Sequence, residues 1–238
     1  EITGFNFGDE FSIVAHQKIL ELLRDYFFVG GMPEAVAVFQ KTRDFQKVKD
    51  VQDSILATYS DDFSKYHRGT DPLMLRQLLQ KMPAQVGSKV IYSHLFRDEK
   101  ALKTRKHLDW LKLARLITPV YFTHASGTPL GAQADLSIYK PIVLDIGLMN
   151  RLLGVNWGEL QDLQVHEGKI AEQFIGQELL LAGDSMLLPC LYYWIREGKS
   201  VNAEVDFVTA AGSTRIIPIE VKSGKSGSLK SMHQFILD

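Results

Sequence analysis

The chain has little of what staples, spans or steers a protein. Of its 238 residues one is cysteine, Cys190, so no internal disulfide forms and the reducing cytoplasm is the expected compartment. No apolar run approaches the ~20 residues of a membrane-spanning helix, so no membrane partner is expected. Net charge is -1, which excludes a whole-chain field that would gather nucleic acid; any basic surface must be local. The seven histidines (16, 67, 94, 107, 124, 166 and 233) show no metal-ligand spacing, and with one cysteine they exclude a zinc site. Repeats, low-complexity tracts and the aromatic interleaving of single-strand binders are absent. The first residues, Glu1-Ile2-Thr3-Gly4, lack a methionine and a signal-peptide pattern, as expected of a piece of a longer protein.

A phosphate-binding loop is also missing. Gly198-Lys199-Ser200 and Gly224-Lys225-Ser226 each need a glycine five positions before the Gly-Lys, and those positions hold Tyr193 and Ile219. What remains is 45% hydrophobic and 23% charged, enough for one large soluble domain or two small ones.

Periodicity divides the chain. Apolar residues at helical spacing fill 13–28, and Gly30-Gly31-Met32-Pro33 breaks them as a tight turn, with Pro33 opening the next helix. A longer helix is expected over 44–66. Three short helices over 72–82, 90–97 and 100–115, then strands at 116–122 and about 136–144, have the order of a winged helix. A short helix and linker cover 145–167. The last third reads α-β-β-β-α: a helix over 168–183, strands near 190–197, 203–209 and 215–222, and a helix from about Ser226.

The chemistry lies there. Strand alternation puts Glu204 and Asp206 on one face and Val205 and Phe207 on the other. It also sets Glu220 with Lys222, opposite Ile217, Ile219 and Val221. A hairpin through Ala211-Gly212-Ser213-Thr214 brings Asp206 toward Glu220 and Lys222. Two carboxylates suit a hard divalent cation, and an adjacent ammonium suits a phosphate under attack. A Glu-x-Lys pair on an exposed strand is also ordinary cross-strand pairing.

Asp206 followed by Glu220-Val221-Lys222 resembles the PD-(D/E)xK nuclease superfamily. That resemblance implies a third acid on the preceding helix, here Glu172, and makes Glu172, Asp206, Glu220 and Lys222 the catalytic set. Asp206 and Glu220 would then hold Mg2+. Val205 stands where the superfamily usually has proline, and a further strand would follow the last helix. More of the chain is similar to prokaryotic AAA-type ATPases with a C-terminal DUF4143 domain. The resemblance rests on Gly30-Gly31-Met32-Pro33-Glu34, Tyr139-Lys140-Pro141-Ile142-Val143-Leu144-Asp145-Ile146-Gly147-Leu148 and the ordered acidic motifs. It implies an N-terminal ATPase core that is absent here, so ATP belongs to the full-length protein alone.

The expected fold is α+β or α/β. It comprises a helical segment (1–70), a winged-helix domain (71–150) and an incomplete nuclease-like domain (151–238). DNA is the expected partner. Between Arg97 and Arg115 seven Lys or Arg face three acids, a local balance of +4. Lys103, Arg105, Lys106 and Lys112 are the candidate DNA contacts, with Thr104, Arg105 and His107 outward and Leu108 and Leu111 inward. The same sequence accommodates a catalytically degenerate nuclease fold used for binding or assembly, or a transcriptional regulator acting through the winged helix. The sequence fixes no oligomeric state.

Overall fold

The structure, a computed structural model, describes residues 12–65, 70–96, 98–161, 167–182, 190–196, 202–212, 214–223 and 229–237. Arg97, His67, His166, Gly198-Lys199-Ser200, Ser213 and Gly224-Lys225-Ser226 lie outside them.

Among the described residues six α-helices come first. Helix α1 (Ile13–Val29) ends at Gly30, and α2 (Pro33–Thr42) opens on Pro33, where the missing N–H costs nothing. The Asp44 side chain caps α3 (Phe45–Asp62) through the N–H groups of Gln46 and Lys47. Then come α4 (Pro72–Gln85), α5 (Tyr92–Leu95) and α6 (Ala101–Leu113). The hairpin β1 (Ile117–Thr123) and β2 (Ala134–Val143) follows, then α7 (Ile146–Leu152), α8 (Trp157–Gln161) and α9 (Glu167–Ala182). The chain continues with β3 (Leu191–Arg196), β4 (Ala203–Ala211), β5 (Arg215–Ile219) and α10 (Lys230–Leu237).

The fold is α+β: among the described residues five strands form one mixed sheet in the order β2-β1-β3-β4-β5. β1 lies parallel to β3, so strands from 71–150 and from 151–238 share one ladder. The other neighbours are antiparallel. Ile138 and Ile142 of β2 pack with Ile175, Leu179 and Leu180 of α9. Trp194, Val205 and Val208 meet Met232 and Phe235 of α10. Two expectations change here. β4 has one residue more than β3 between the pairs Tyr192–Val208 and Trp194–Val205, a bulge. It separates Val205, packed with α10, from Phe207, which packs with the α9 side. The ladder of β5 stops at Ile219, so Glu220 and Lys222 lie just past its end rather than within a strand.

One buried carboxylate joins the turn after α1 to the start of α7. Asp145, 3% exposed, caps α7 through Leu148 N–H (2.9 Å) and accepts from Gly31 N–H (2.7 Å). Gly30 sits at φ +72°, and a Cβ there would fall on that carboxylate. A Cβ on Gly147 would meet the Gly30 nitrogen at 2.7 Å. The Gly-Gly turn and the Asp145-Ile146-Gly147 stretch therefore fit each other, and the glycines form the expected tight interhelical turn. Helix α9 closes the unit. Phe174 sits edge-on to Tyr26 and Phe27, and the Gln177 amide donates to the Tyr26 hydroxyl at 3.0 Å.

Gly30→Ala should cost about 2–3 kcal/mol in urea unfolding, from left-handed strain and overpacking together. Gly158→Ala, at an exposed α8 position with open space around it, should stay within about 0.5 kcal/mol. Equal losses at both positions would remove the packing account of the Gly-Gly turn.

Candidate functional site

The last-third acids converge, but around a lysine. Alternation along β2 sends Tyr139 and Val143 into the helical core and Lys140 to the α9 side with Ile138 and Ile142. Lys140 is 3% exposed. Its ammonium is ion-paired with Glu204 and lies 3.7 Å from Glu172 Oε2 and 3.9 Å from Asp206 Oδ1. Burial alone would pull the Lys140 pKa down, but the three carboxylates outweigh it and hold it above its ordinary value.

Each acid is held by its own element. Glu172 stands in the second turn of α9, and its neighbour Gln173 fixes that helix to the sheet. The fully buried Gln173 amide donates to the Val143 carbonyl (2.7 Å) and accepts from the Val143 N–H (2.9 Å), the outward groups of edge strand β2. The turn after α4 closes the other side. Gly87 adopts φ +76°, and a Cβ on it would come within 2.8 Å of Glu172 Oε1. Asp206 and Glu204 project together from β4, as alternation predicts. Asp206 Oδ2 accepts from Val221 N–H at 2.8 Å, which ties the segment past β5 to the cluster. Lys222 pairs with Glu220, whose side chain is 8% exposed. Among the described residues Glu220 Oε2 is buried without a hydrogen-bond partner.

Burial dominates the electrostatics. Desolvation raises the Glu172 pKa to about 7 against the pull of Lys140, with Asp206 and Glu204 adding to the rise. Desolvation also raises Asp206, opposed by the Val221 N–H and Lys140. Lys222 is raised chiefly by its bond to Glu220, and then by the charges of Glu220, Asp206 and Glu172. The structure thus gathers Glu172, Asp206, Glu220 and Lys222 in one region and adds Lys140 and Glu204. With Glu172 ionised, above about pH 7, four carboxylates against two ammonium groups leave two negative charges. As the side chains stand, no group of three or more His, Cys, Asp or Glu among the described residues has metal-holding geometry. The donors are still hard oxygens suited to Mg2+, and the unpartnered Glu220 oxygen offers a ligand atom.

The basic helix is less open than expected. Thr104 and His107 are buried, not outward. His107 Nε2 accepts from Asp71 N–H (2.8 Å) and Nδ1 meets the Lys103 carbonyl (2.8 Å), which docks α6 on the start of α4. Lys103 pairs with Glu99 at 2.8 Å and Asp71 at 3.8 Å. Lys112 lies 3.9 Å over the Tyr139 ring and pairs with Asp109 at 3.1 Å; burial pulls its pKa down. Its ammonium is thus held against the hairpin strand and its own helix rather than extended into solvent. Arg105 and Lys106 are exposed.

Comparison with known families matches the chain in two spans. The model of a domain of unknown function, DUF8612, matches residues 20–159, and the chain belongs to that family. A second domain of unknown function, DUF4143, matches residues 167–237. No curated protein and no solved structure matches. Lys140 comes from the first matched span; Glu172, Glu204, Asp206, Glu220 and Lys222 come from the second.

Folding takes up a proton at Glu172 between its ordinary pKa of 4.5 and about 7. That contribution is complete below about pH 4.5 and is lost as pH rises toward 7. Glutamine keeps the side chain neutral throughout. The melting temperature of Glu172→Gln relative to the parent should therefore climb between pH 5 and pH 8. A pH-independent difference would contradict the assignment.

Proposed function

We propose that the C-terminal part is a PD-(D/E)xK nuclease-like unit that acts on DNA phosphodiesters with Mg2+, preceded by a winged helix that meets DNA. In the full-length protein both follow an AAA-type ATPase core. The observation that carries this reading is the convergence of Glu172, Glu204 and Asp206 on one buried point, beside Glu220 and Lys222 and with two negative charges uncompensated. Asp206 and Glu220 are the residues that would hold the cation, with Glu172 completing the acidic set. A bound Mg2+ would supply charge neutralisation at phosphorus and a more acidic water. Lys222, 42% exposed and paired with Glu220, would meet a phosphate oxygen arriving from solvent. Arg105 and Lys106 supply the exposed cations of α6 for backbone contact.

A second reading has its own support. The pair of buried Lys140 with half-exposed Glu204 already neutralises part of the cluster, as in a fold kept for binding or assembly after its chemistry is lost.

Incubation with plasmid DNA and Mg2+ or Mn2+ separates the two. Asp206→Ala and Lys222→Ala should each lower cleavage by about a hundredfold or more. Cleavage unchanged by either substitution removes the catalytic assignment, and no cleavage by the full-length protein favours the binding module. Arg105→Glu with Lys106→Glu should weaken duplex binding and reduce the slope of log K against log salt by about two. An unchanged slope would take α6 off the DNA.

A further inference from the structure

The lysine of the nuclease-type motif is Lys222, yet it is Lys140 that the fold buries among the acids. A buried ammonium is costly, and it persists where its partners are fixed. Here β2, α9 and β4 fix all of them, with Gln173 fastening α9 to β2. The closest contact is with Glu204, while Glu172 and Asp206 stand at 3.7 and 3.9 Å, within ion-pair reach but beyond a hydrogen bond. Nuclease centres with two metals share carboxylates between ions roughly 3.5–4 Å apart. In this cluster an ammonium already stands among the carboxylates.

We propose that Lys140 is a resident cation of the site: its ammonium takes one cation position among the carboxylates, so the cluster has charge room for a single divalent ion. The inference rests on the metal-binding reading above. Charge arithmetic makes it specific. With Lys140 the four acids and two lysines total two negative charges, matching one divalent ion. Lys140→Met leaves three. Glu204→Gln leaves one. Lys140→Met with Glu204→Gln returns to two, because it deletes the pair whole.

The probe is Mn2+ alone, titrated by calorimetry and electron paramagnetic resonance at pH 7.5 without DNA, with circular dichroism as the folding control. The parent should bind one Mn2+, and Asp206→Asn should abolish it. Lys140→Met should bind a second Mn2+ or bind the first roughly tenfold more tightly or better. Glu204→Gln, whose side chain is 38% exposed and tolerant of change, should bind more weakly. The double variant should return to the parental stoichiometry and affinity. Should Lys140→Met fail to fold, Glu204→Gln and the double variant decide the matter: parental binding by both overturns the inference. Parental binding by Lys140→Met overturns it as well, while leaving the metal reading intact. Binding by Lys140→Met but not by the parent overturns both the single-ion claim and the metal reading of the parent site. Absence of binding in every variant overturns both.

Discussion

The buried Lys140 ammonium is the constraint on which the site depends. Glu172, Glu204 and Asp206 come from two elements and would repel one another if brought together alone. A cation on a third element lets them share a small volume, with Glu172 and Asp206 mostly buried and Glu204 reaching solvent. The energetic balance is delicate, because desolvating a charge costs several kcal/mol and a buried ion pair often only breaks even against apolar packing. Removing one partner is the expensive change, since it strands the other. Such a cluster is better suited to fixing the relative positions of β2, β4 and α9 than to adding stability.

Those positions are set by the rest of the molecule. Asp145 joins the turn after α1 to the start of α7, and the glycines at 30 and 147 permit the close approach. α1 then offers Tyr26 and Phe27 to Phe174 of α9. α9 is held three times: by those rings, by Gln173 on the β2 edge, and by Lys169 on the Ala84 carbonyl at the end of α4. Glu172 lies between two of these anchors. The span matching DUF8612 is therefore no passive neighbour of the span matching DUF4143. It supplies Lys140, the Gly87 turn and the surface that docks the acid-bearing helix.

Much of this was readable in the sequence because it is local. Period-two alternation placed Glu204 and Asp206 together, proline and glycine marked the α1–α2 turn, and the α-β-β-β-α order of the last third followed from apolar rhythm. What escaped was non-local. Lys140 stands more than thirty residues before Glu172, in a stretch of Tyr, Pro, Ile and Val that reads as an ordinary hairpin strand. The usable signal was the lone charge in that apolar run, which demands a buried partner. The β4 bulge adds one residue without any glycine to mark it, so Phe207 changed faces unseen. Along α6, charge counting treated every cation as solvated. Tertiary packing instead folded Lys112 over Tyr139 and buried His107 and Thr104.

The most direct measurement is an anomalous-scattering map from crystals of this chain grown in millimolar Mn2+. The account predicts one peak bounded by Asp206 and Glu220, with the Lys140 ammonium still against Glu204. A map without a peak at the cluster, or one in which Lys140 has swung away from its carboxylates to admit the ion, would contradict it.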